Sequence, residues 1–126
     1  AKQDGSSSIP VLRLAEQYLI RAEALLHKAV PDAAGACEDL NVIRRRAGLD
    51  ELDLSDPAAL LLQVETERRY ELAFDAHRFN DIVRTGRAAE VFGAHDSAFT
   101  NPDYWVLPIP NNADLADEDL DQNPGY

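Results

Sequence analysis

Histidine and aspartate four residues apart on a helix share one face, and His77 and Asp81 have that spacing, at which pairs of metal ligands are often presented. Zinc needs at least three protein ligands. Neither His27 nor His95 is placed beside the pair by the sequence, and the single cysteine, Cys37, belongs to a different helix. Structural pairing of His77 or Arg78 with Asp75 or Asp81 is the favoured reading, and no metal site is expected. Glycoside hydrolysis usually needs two carboxylates flanking the bond. Glu67, Glu71 and Asp75 run down one side of a predicted helix, but nearby arginines would hold each ionised, whereas a general acid needs a raised pKa. Ion-pair rails are the expectation, and no catalytic residue is assigned. Ser6, Ser7 and Ser8 stand in no nucleophile elbow, and there is no glycine-rich phosphate loop, so acyl and phosphoryl transfer lack support and no cofactor is called for. Tyr104-Trp105 is the one adjacent aromatic pair, and its flat rings make it the candidate ligand contact, on sugar faces or bases. The competing reading, favoured because the apolar run continues into Val106-Leu107, is that the pair anchors the chain to the core.

These residues sit in a chain of 126, long enough for one domain with its own core. A hydrophobic fraction of 45% with 28% charged residues is that of a globular protein. No run approaches the roughly 20 apolar residues of a membrane span, and no signal-peptide pattern is present. The absence of methionine and the polar opening Ala1-Lys2-Gln3-Asp4-Gly5-Ser6-Ser7-Ser8 read as a processed or excised piece with a flexible lead over residues 1–9. A net charge of −11 opposes nucleic acid and anionic membrane surfaces as partners. The same charge also fits a solubility device or a high-salt adaptation. Cys37 has no internal disulfide partner, and its neighbours Ala33, Ala36 and Leu40 make it a small core residue.

The elements that must position these groups are helical. A first helix is predicted from about Pro10 to Ala29, with Val11, Leu12, Leu14, Ala15, Tyr18, Leu19, Ala22, Leu25, Leu26 and Ala29 in one apolar arc. Ile20 lies on the opposite side, either as a second packing surface or as a singly exposed residue. Pro31-Asp32 opens a second helix, whose stripe is Ala33, Ala36, Cys37, Leu40, Ile43 and Ala47, and Gly48 fits the left-handed position that ends it. The two form a hairpin like a single tetratricopeptide-type unit, with no second copy at a fixed period. One such unit cannot bury both faces and needs further segments to complete a core.

Ser55-Asp56-Pro57 caps a third helix predicted from Ala58 to about Ala76. Its apolar and charged residues spread around the wheel, so some charges must be partly buried and paired as Glu–Arg bridges to neighbouring helices. Shorter helical pieces follow at Arg78–Arg84, ended near Gly86, and Arg87–Phe92, ended by Gly93. Beyond Ala94 the pattern is a long irregular tail packed across the helices, with the acidic Asp114 to Asp121 stretch facing solvent and little sheet. The fold class is all-α.

Two stretches carry a closer resemblance. Residues 67–86, ERRYELAFDAHRFNDIVRTG, and the ending Leu107-Pro108-Ile109-Pro110 with Gln122-Asn123-Pro124-Gly125-Tyr126 resemble the C-terminal region of the SusD/RagB family. The segments Arg13 to Ala24 and Asp39 to Gly48 resemble the family's preceding segments in the same order, so the likeness covers roughly Pro10 to Tyr126. It implies an all-helical domain over 10–126 of a surface-exposed outer-membrane lipoprotein. Such a protein is non-catalytic, binds glycans or other nutrients, and delivers them to a TonB-dependent SusC-like transporter in polysaccharide utilisation. Family members are several times longer and begin with a signal peptide and a lipidated cysteine, so the membrane would be met only through an anchor on an N-terminal part outside this chain. The family's sugar-contacting residues lie mainly upstream, and none is carried over. The motif residues Glu67, Arg68, Glu71, His77, Arg78, Asp81 and Arg84 read as architectural. A free-standing tetratricopeptide-like adaptor for protein partners is the alternative.

Overall fold

The computed structural model describes residues 12–110 and 121–125, so the lead over 1–9, Pro10, Val11, most of the acidic stretch from Asp114 and Tyr126 lie outside the described residues. The chain falls into two compact units, the first ending at Arg78 and the second beginning at Phe79. Among the described residues every regular element is helical.

The first unit holds α1 (Leu14–Leu26), α2 (Ala33–Ala47) and α3 (Pro57–Glu71). Their interior is one cluster. Leu19, Ala22 and Leu26 of α1 meet Ala36, Cys37, Leu40 and Ile43 of α2 and Leu60 and Val64 of α3. The small residues of α2 let it lie close to α1, and full burial of Leu19, Leu40 and Leu60 contributes about 1.5–3 kcal/mol each. Leu12, Leu14 and Ala29, which the helical wheel assigns to the core arc, are exposed instead. For Leu12 and Ala29 the reason is length: α1 starts at Leu14 and stops at Leu26, shorter at both ends than the apolar pattern predicts, and Leu14 is its first residue. Ile20 is half-exposed.

Both following helices are capped by their own aspartates. The Asp32 carboxylate accepts from the Gly35 N–H and the Asp56 carboxylate from the Ala59 N–H, each at 3.0 Å. At the other end of α2, Gly48 takes φ 72°, its N–H donates to the Arg45 carbonyl and the Leu49 N–H to the Arg44 carbonyl, the paired closure that a left-handed glycine permits. The loop after it is pinned from within α2. Asn41 is buried, and its side-chain amide donates to the Leu52 carbonyl at 3.0 Å while its oxygen accepts from the Leu52 N–H at 2.7 Å. The Cys37 thiol donates to the same Leu52 carbonyl at 3.4 Å.

The third helix ends five residues before the predicted Ala76. Phe74 and Ala76 have φ of 70° and 61°, which no right-handed helix accommodates. Asp75 is therefore off the helical rail assigned to it, and His77 precedes α4 (Arg78–Arg84) rather than sharing its face with Asp81.

In the second unit α4 closes at Gly86 as α2 does at Gly48: φ is 72°, and the Gly86 and Arg87 N–H groups donate to the Val83 and Ile82 carbonyls. Helix α5 (Ala88–Val91) and 3-10 turns at Ser97–Thr100 and Pro102–Trp105 follow, so the predicted irregular tail is partly ordered. Phe79, Phe92 and Phe99 form a row with centroids 5.7 and 5.6 Å apart. The apolar side chains of this segment divide: Trp105 and Ile109 are half-buried, Val106 and Leu107 exposed. Side-chain amides also hold this segment. Gln122 brackets Ile109 through its N–H and carbonyl at 2.8 and 2.9 Å, and Asn123 donates to the Leu107 carbonyl at 2.7 Å.

Candidate functional site

Of the charged residues singled out in the sequence, Glu67, Arg68, Glu71, His77 and Arg78 lie in the first unit and pair within a brace on its three long helices, whereas Asp81 and Arg84 lie in the second. Glu67 and Arg68, adjacent on α3, are both buried. Glu67 accepts from Arg44 of α2 at 2.6 Å and from Gln63 one turn back at 2.9 Å. The Arg68 guanidinium lies 3.7 Å from the Glu16 carboxylate of α1, and the His77 ring nitrogen is 3.8 Å from the same oxygen. Glu71 ends α3 between two arginines, Arg13 at 2.6 Å and Arg46 of α2. Arg13 also donates to the Glu71 carbonyl at 2.9 Å and to Asp75 at 2.6 Å. Its guanidinium is pushed above its ordinary pKa, mainly by the Asp75 hydrogen bond, with burial opposing and the charges of Glu71, Asp75 and Glu16 adding.

Arg78 pairs with Glu65 at 3.0 Å, not with the Asp75 or Asp81 expected from sequence proximity. Asp81, in the second unit, pairs with Arg84 at 3.0 Å, and its main-chain carbonyl accepts from the Thr85 hydroxyl. The spacing argument failed because the segment around 72–77 is a turn, which removes the i, i+4 relation. A further pair, Arg21 with the buried Asp39, was missed by sequence reasoning. Its only signal was an aspartate inside the apolar stripe of α2. The Arg21 guanidinium lies 5.2 Å over the Tyr18 ring and is raised in pKa by its hydrogen bond to Asp39 and then by that charge.

Glu67 and Glu71 are each engaged by arginine, and among the described residues no group of three or more His, Cys, Asp or Glu is placed to hold a metal ion. Concave surface is present on α1, where Leu14, Gln17, Tyr18, Ile20 and Arg21 line an open groove of about 410 Å³. In the second unit Trp105 donates its indole N–H to the Phe99 carbonyl at 2.8 Å, while the Tyr104 ring stays partly exposed.

Three core-sharing helices cross-braced by arginine–carboxylate pairs define an all-helical module, and comparison with known proteins gives its family. The family model described as the SusD family matches residues 1–126, and the chain belongs to that family. A SusD-like protein of Formosa agariphila is 34% identical over 142 residues, covering 99% of this chain and 27% of the relative. The starch-binding protein SusD of Bacteroides thetaiotaomicron is 30% identical over 128 residues, covering 95% and 22%. The crystal structure of a SusD-like protein from Bacteroides fragilis superposes with a TM-score of 0.70 at 32% identity, over 91% of this chain and 25% of that one. The chain thus spans about a quarter of the length of these relatives.

Proposed function

We propose that this chain is the supporting frame of a cell-surface nutrient-binding protein, one that captures oligosaccharides at the outer membrane and passes them to a TonB-dependent SusC-like transporter without cleaving them. The observation that carries this reading is the family match over the whole chain, with a relative described as starch-binding. The brace supports the non-catalytic part: Glu67 is engaged by Arg44, and Glu71 by Arg13 and Arg46, in contacts that join helices. Glu67, Arg68, Glu71, His77, Arg78, Asp81 and Arg84 then serve as architecture. Within the same reading Trp105 anchors its segment through the Phe99 carbonyl, and the Tyr104 ring is the one offered to a sugar face. Co-purification from detergent-solubilised envelopes tests the transport role. The expected result is a protein accessible to protease on intact cells and recovered with a TonB-dependent transporter; recovery from the cytosol with neither property would refute it.

A further inference from the structure

We draw no further inference here: the strongest candidate, the open groove on α1 lined by Leu14, Gln17, Tyr18, Ile20 and Arg21, carries none because nothing in the structure shows what covers it.

Discussion

The two units keep their shape by different means. The first joins residues far apart in sequence: Arg13 reaches Glu71 and Asp75, Arg44 reaches Glu67, and a single apolar cluster draws on three helices of 13, 15 and 15 residues. Among the described residues the second is assembled from helices and turns of seven residues or fewer, and two of its ion pairs, Arg84–Asp81 and Arg87–Glu90, are three residues apart. Charges that bridge separate elements, partly buried from water, hold those elements together, whereas a pair three residues apart on one turn ties the chain only to itself and contributes less. Substitutions should therefore be felt more in the first unit.

The largest effect is expected at the centre of the apolar cluster, where Leu40→Ala should cost about 2–5 kcal/mol in urea unfolding. Next comes the brace. Arg78→Ala removes one partner of a Glu65 carboxylate that is mostly withdrawn from water and should cost about 1–3 kcal/mol, and an unchanged melting temperature would count against this pairing as a source of stability. Arg84→Ala removes one contact of the buried Asp81, to an arginine that is itself about half-exposed, and should cost on the order of 1 kcal/mol; a loss larger than that of Arg78→Ala would erase the contrast between the units. The smallest effect belongs to Glu90. The Arg87 hydrogen bond, and then its charge, hold this carboxyl below its ordinary value. A depressed folded-state pKa means that the contribution is complete above the ordinary glutamate range and is lost as pH falls through the folded-state value. Glu90→Gln should slightly flatten the acid limb of stability and leave neutral pH nearly unchanged.

Sequence made the local punctuation readable and left the distant partners hidden. Asp32, Asp56, Gly48 and Gly86 begin or end helices through contacts within a few residues, and such signals need no knowledge of the fold. Periodicity likewise picked out Leu19, Leu40 and Ile43. Asn41 was not found, since what justifies its burial is the backbone of Leu52, eleven residues away across a loop. The early end of α3 was also invisible. A helix normally stops at glycine in the left-handed region, and here Phe74 and Ala76 occupy it, so no residue type announced the break. That missed turn propagated into the site: it moved Asp75 onto Arg13, took His77 off the helix, and left Arg78 to pair with Glu65.

Titration of the full-length protein with a panel of neutral oligosaccharides, followed by both heat and release of new reducing ends, is the most direct measurement of whether the braced helices belong to a binder or to an enzyme. Saturable heat with at least one sugar and no new reducing ends over hours is the predicted result. Time-dependent release of reducing ends, abolished when one of Glu67 or Glu71 is replaced by glutamine while the melting temperature is kept, would contradict it.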